Sequence, residues 1–366
     1  MKRLLGLIIF SLFFLLPLSQ VNAQSPSNPK ATYIKGTVEK VVNEQEDKNL
    51  QTTKQYLSVK IVEGPEKGKT ISATYSFPQK SKEWQELRQG ESVIVVKQEG
   101  TKATYGIYDR FRFTNVIVIA LAFLLLVLIT TGLRGAGSLL GLVLSLLVIV
   151  FFVVPQILAG QDPLFISILG SLFIMVTTIY LAHGFSQRTS IAIASTFLSL
   201  VITGVLAVWF VSLLRLTGGG NEDAYMLQFG AQTINLQGLL LGGIIIGTLG
   251  VLDDTTTTQA ATIFTLAETN AKLKTKELIQ KGFIVGREHI TSLVNTLVLA
   301  YAGVSLPLFI FFVLNPLNQP LWVILNNEMV VEEIARTLAG SIGLILAVPI
   351  TTLMAAFFAR YSLKIK

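Results

Sequence analysis

The stretch Leu239-Leu-Leu-Gly-Gly-Ile-Ile-Ile-Gly-Thr-Leu-Gly-Val-Leu-Asp-Asp-Thr-Thr-Thr-Thr-Gln-Ala-Ala-Thr-Ile-Phe264 decides how this chain folds. It is long, apolar and rich in glycine, as a bilayer-crossing helix is, yet it carries Asp253 and Asp254 side by side. A charged carboxylate at the centre of such a helix costs roughly 2.5–3.5 kcal/mol on insertion scales. A pair held at that cost points to binding or relaying a proton or another cation.

The rest of the chain agrees with a membrane setting. Of its 366 residues 51% are hydrophobic and only 14% charged, with a mean hydropathy of +0.62. That composition describes a polytopic membrane protein rather than a soluble enzyme with a large core. The absence of cysteine excludes disulfides, thiol nucleophiles and thiolate metal sites. With only His183 and His289, no metal site is expected. No cofactor motif and no nucleophile–base arrangement is legible.

Residues 1–23 read as a signal peptide. Lys2 and Arg3 precede an apolar core, Leu4 to Leu18, and Val21-Asn22-Ala23 resembles a cleavage site. Residues 24–112 are polar, with alternating runs at Tyr33–Val42, Leu57–Val62, Thr70–Tyr75, Ser92–Val96 and Lys102–Ile107. Period-2 alternation at this spacing predicts a small exported all-β barrel or sandwich of five strands, OB-like or SH3-like. No aromatic residues interleave with a basic stripe here, so a nucleic-acid partner is not expected.

Residues 113–366 read as seven transmembrane helices, at about 115–132, 137–156, 163–182, 190–213, 237–266, 291–314 and 337–359. With the β-domain outside, the inner loops hold Arg134, Arg188, Lys272, Lys274, Lys276, Lys281, Arg287, Arg360, Lys364 and Lys366. The short outer loops hold only Arg215 and Arg336 among the basic residues. This asymmetry follows the positive-inside rule and puts the C-terminus in the cytoplasm. Asp253 and Asp254 are then the only carboxylates at membrane depth.

Gly243, Gly247, Gly250 and Asp254 are spaced four, three and four apart, on one helical face. A small-residue stripe predicts close packing of neighbouring helices, which would turn Asp254 into the bundle. Thr255, Thr256, Thr257 and Thr258 are expected either to hydrogen-bond the carboxylates or to bond back to the helix and kink it at Asp253. Gln259 on the same helix is a further polar support, with Ser292, Asn295 and Thr296 as partners on the following span. Arg287 is the nearest cation. His183 reads as an interfacial histidine rather than a relay. Gly218–Asp223 reads as a turn rather than a calcium loop, and the basic segment Asn270–Glu288 as a helix lying on anionic lipid.

Tyr108-Asp-Arg-Phe-Arg112 and Gly250-Val-Leu-Asp-Asp-Thr-Thr-Thr-Thr-Gln-Ala260, with the exported β-domain, resemble the YibE/F-like family of bacterial membrane proteins. The resemblance covers nearly the whole mature chain and implies a bacterial plasma-membrane protein without implying a particular activity. Locally, Leu252-Asp-Asp254, Gly286-Arg-Glu-His-Ile290 and Val304–Phe312 resemble the proton-relay helices of RND-type transporters. Their aspartates carry protons, although the relay helix is third after the exported domain there and fifth here.

These readings lead to a transporter or export-assisting protein coupled to protons or Na⁺, with Asp253 and Asp254 as the ion site. The alternative is a non-transporting assembly factor or sensor that anchors the β-domain to a partner membrane subunit or a second copy. Enzymatic activity is not expected. An intramembrane aspartyl hydrolase fits poorly, because adjacent aspartates on one helix do not face one substrate together.

Overall fold

The computed structural model describes residues 31–98, 104–220, 222–230, 234–315 and 317–365. The expected signal peptide lies outside them. The described residues form two compact units, one ending at Val127 and the other beginning at Leu128.

The first unit holds the expected five strands: β1 (Ala31–Asp47), β2 (Thr52–Ile61), β3 (Thr70–Pro78), β4 (Ser92–Gln98) and β5 (Thr104–Arg110). They close into a barrel in the order β1-β2-β3-β5-β4, with β3 parallel to β5 and a short helical stretch between β3 and β4. Of the two expected barrel types, this is the OB-type strand order. The alternation explains the closure. In β2, Thr53, Gln55, Leu57, Val59 and Ile61 all point inward. They meet Val38, Ile71, Ala73, Val93 and Val95 in one core. The 17-residue β1 pairs with β2 along one stretch and β4 along another, and is bent by irregularities at Val38/Lys40 and Val41/Asn43. Buried Gln55 is satisfied by accepting from the Leu87 backbone at 3.0 Å. Glu66, in the β2–β3 turn, accepts from Lys97 Nζ at 2.7 Å and Tyr105 OH at 2.9 Å, which ties the turn to β4 and β5.

Helices follow: α1 (Phe113–Thr131), α2 (Leu133–Val148), α3 (Pro163–His183), α4 (Gln187–Leu213), α5 (Leu236–Thr269), α6 (Thr275–Val304), α7 (Leu306–Leu314) and α8 (Glu328–Ile365). A π-helical turn, Ile149–Val153, extends α2 to Leu158 just before and across Pro155. Among the described residues six helices are long and apolar enough to cross a membrane, or seven if α6 and α7 count as one bent span. This fits a multi-pass membrane protein. The expected continuous span at 291–314 is instead broken, with a 63° bend between α6 and α7. Pro307 explains the break: it supplies no N–H to continue the ladder, and the Ser305 N–H turns back to Gly303 and Tyr301.

Helices α4, α5 and α8 pack on one another and form the centre of the second unit, while α2 packs on α3 and α3 on α5. Leu200, Ile245, Leu249, Leu252, Leu344 and Ala347 fill the interior. Glycines set the closest approaches. A Cβ on Gly343 of α8 would run into the Thr203 hydroxyl of α4. One on Gly242 of α5 would run into Ser167 of α3.

Candidate functional site

Helix α5 is continuous through the aspartate pair, not kinked there. The threonine run bonds back to the helix rather than to the carboxylates. Thr255 Oγ1 donates to Val251 O at 3.0 Å, Thr256 Oγ1 to Asp253 O at 3.3 Å and Thr257 Oγ1 to Asp253 O at 2.8 Å. These bonds add to the helical ladder without replacing it, so the helix survives.

The inner face of α5 is fixed by polar ties as well as by packing. Buried Thr256 Oγ1 lies 2.5 Å from Thr196 Oγ1 of α4. Buried Gln259 donates through Nε2 to Gly282 O of α6 at 2.9 Å and to Thr352 Oγ1 of α8 at 2.7 Å. One side chain therefore joins three helices. On α6, Gly286 lets Val348 and Gln259 close in, and Leu278 is fully buried. The basic segment is thus the first half of one 30-residue helix packed on α5 and α8, rather than a separate surface helix.

The carboxylates diverge, as residues 100° apart on a helix must. Half-buried Asp253 hydrogen-bonds Thr178 of α3. Asp254 is exposed and opens onto a hollow of about 480 Å³, lined by His183, Asp254, Thr257, Thr258, Ala261, Thr262, Thr265 and Leu266. A second hollow of about 270 Å³ is lined by Ala182, His183, Arg188, Thr189, Ala192, Thr257 and Ala261. The turn that carries His183 and Arg188 is tightly built. Gly184 takes a positive φ of 74° to end α3. Ser186 caps α4 by accepting from Thr189 N at 3.2 Å, and the Tyr180 ring stacks on Phe185 at 4.3 Å.

Two expectations are corrected. The glycine stripe does not pack within this chain. Gly243, Gly247 and Gly250 lie on the exposed side of α5, and a Cβ on Gly247 or Gly250 would meet nothing within 4 Å. Gly243 has only Arg336 Nη1 nearby, at 3.3 Å. The neighbouring helices use the opposite side of α5, through Gly238, Gly242, Leu241 and Ile245, so Asp254 faces the hollow rather than the packed interior. Asn295, Ser292, Thr296 and Arg287 are exposed on α6 and line neither hollow. Conversely, His183 and Arg188, expected only as span-end residues, are brought to the aspartate helix. Glu332 is also buried, where it accepts from Gly220 N at 3.1 Å. Among the described residues no three acidic or histidine side chains come together as a metal cluster would require.

The family model for YibE/F-like proteins matches residues 119–361, which include the Asp-Asp motif and every helix that lines the two hollows. The chain belongs to the YibE/F-like protein family. No curated protein and no solved structure shows a significant match to it. The family match begins within α1, so its signature lies in the helices and not in the barrel.

Proposed function

We propose that this YibE/F-like protein is a transporter or export-assisting protein of the bacterial plasma membrane, coupled to protons or another small cation through Asp253 and Asp254. The barrel stands outside the membrane, where it meets substrate or a partner subunit, and the C-terminus is cytoplasmic. The observation that carries this reading is the divergence of the two carboxylates on one unbroken helix. Asp253 is anchored to Thr178, whereas Asp254 opens onto a hollow walled by threonine hydroxyls.

Asp254 stands 18 residues into a 34-residue helix, ~27 Å along a ~51 Å axis, well away from either end. A carboxylate at that depth is tolerable when it is neutral or paired with a cation, and cycling between those states is what coupling requires. Conversion of Asp254→Asn keeps the side-chain shape and removes the charge. In proteoliposomes it should abolish cation-driven flux without loss of folded protein. Full flux in that variant would sink the reading.

A second reading has its own support. Helix α1 buries no residue, and the Gly243–Gly250 stripe is bare. Surfaces of this kind suit a membrane assembly factor that holds the barrel against a partner subunit or a second copy. Under it, Asp254→Asn leaves function unchanged and the barrel alone captures the partner.

A further inference from the structure

We propose that the 480 Å³ hollow beside α5 is a water-filled vestibule that conducts cations to Asp254 from the end of the bundle where α3 turns into α4, past His183. The inference deepens the ion-site reading by naming the route and the sign of the charge it admits. It rests on that reading only for what happens after the cation arrives.

Size and chemistry favour water. The hollow has room for on the order of ten water molecules, and empty cavities that stay dry are apolar ones. This one is walled by a carboxylate, an imidazole and four threonines. The wall is also biased toward acceptors. Thr257 Oγ1 spends its proton on Asp253 O at 2.8 Å, and Thr262 Oγ1 on Thr258 O at 2.9 Å. Their remaining lone pairs, with the Asp254 carboxylate, suit a cation and disfavour an anion.

Direction follows from the lining. From Asp254 to Thr265 the hollow follows α5 for ~16 Å toward its C-terminal end, and His183, which lines it from across, is the last residue of α3. The cation Arg188 lines the second hollow but not the first, and His183, Thr257 and Ala261 belong to both walls. The imidazole thus borders both hollows, whereas the guanidinium borders only the second. Among the described residues Arg188 makes no ion pair with Asp254.

The chain contains no cysteine, so single cysteines can be read without background. Thr258→Cys and Thr262→Cys report the vestibule, and exposed Lys272→Cys marks the membrane side of the α5–α6 turn. Val205→Cys, on an exposed apolar face of α4, is the lipid control. All are treated in sealed vesicles of both orientations with membrane-impermeant methanethiosulfonates, one cationic and one anionic.

Thr258→Cys and Thr262→Cys should react only from the side that labels Lys272→Cys. They should react at least about tenfold faster than Val205→Cys, because an apolar setting keeps a thiol in its unreactive protonated form. The cationic reagent should react several-fold faster than the anionic one, and Asp254→Asn should erase that preference. His183→Trp should slow both positions by narrowing the passage. Reactivity no greater than Val205→Cys, labelling from both sides, or faster reaction with the anion would each overturn the vestibule. Loss of the ion-coupling reading alone would look different, with full flux in Asp254→Asn while the labelling pattern of the threonine positions persists.

Discussion

The same substitution should have opposite effects at two glycines of this bundle. Gly343→Ala adds a methyl where α8 crosses α4. That methyl would occupy the space of Thr203 Oγ1, and would also lie 3.1 Å from Thr203 Cβ and 3.3 Å from its Cγ2. Thr203 is fully buried and its hydroxyl donates to Ser199 O at 2.8 Å. A rotamer change there exchanges a hydroxyl for a methyl and relieves nothing, so the helices must part. Overpacking of this kind costs about 1–3 kcal/mol. The alanine returns up to ~1 kcal/mol of helix propensity, so a mid-range overpacking cost of about 2 kcal/mol leaves a net loss of about 1 kcal/mol. Gly247→Ala, on the bare face of α5, meets nothing within 4 Å and should be neutral or stabilising by up to ~1 kcal/mol.

The assay is thermal unfolding of the purified full chain in detergent, followed by loss of helical circular dichroism. Combining Gly343→Ala with Thr203→Ala removes the obstructing hydroxyl and methyl. It should recover at least about 1 kcal/mol relative to the sum of the single effects, the coupling expected of residues in contact. The reasoning fails if the double variant shows no coupling. It fails in a different way if Gly247→Ala destabilises as much as Gly343→Ala, because the stripe would then be packed against something outside this chain.

Gln259→Leu removes two inter-helix hydrogen bonds from a buried group, at 2.9 and 2.7 Å, and should cost about 1–3 kcal/mol in the same assay. A change below the noise would mean that Gln259 does not join the helices. In the barrel, hydrogen bonds from Lys97 and Tyr105 hold the Glu66 carboxyl below its ordinary range. A depressed folded value stabilises the barrel above the ordinary glutamate range, and that contribution is lost as pH falls through the folded value. Urea midpoints of a barrel fragment ending at Arg112 should therefore drop with acid, and Glu66→Gln should flatten the drop. An unchanged acid slope in that variant would remove Glu66 from the account.

The barrel was legible because its strands face a core on one side and solvent on the other. The alternation of Leu57, Val59 and Ile61 with Ser58 and Lys60 records that difference directly. The aspartate helix gives no such record. Its packed side carries Leu241, Ile245 and Leu252, and its open side carries Gly243, Gly247 and Gly250. Lipid and protein are equally apolar, so periodicity does not separate the two faces. Glycines permit close approach without choosing the neighbour, and the stripe that looked like a packing device is bare while Gly242 and Gly343 do the packing. The broken span did have a local signal in Leu306-Pro307, which was outweighed by the unbroken run of apolar residues around it. The meeting of His183 and Asp254 at one hollow spans some seventy residues of chain and has no local signal at all.

Gln259 also has a mechanical consequence. By gripping the backbone of α6 and the hydroxyl of α8 together, it couples the positions of α5, α6 and α8, with α4 keyed to them through Thr196 and Thr203. Across the seam to α3, Asp253 holds Thr178 and Gly242 admits Ser167. His183 ends α3 and Asp254 stands on α5, so the width of the hollow they share is set by how firmly those two helices are held together.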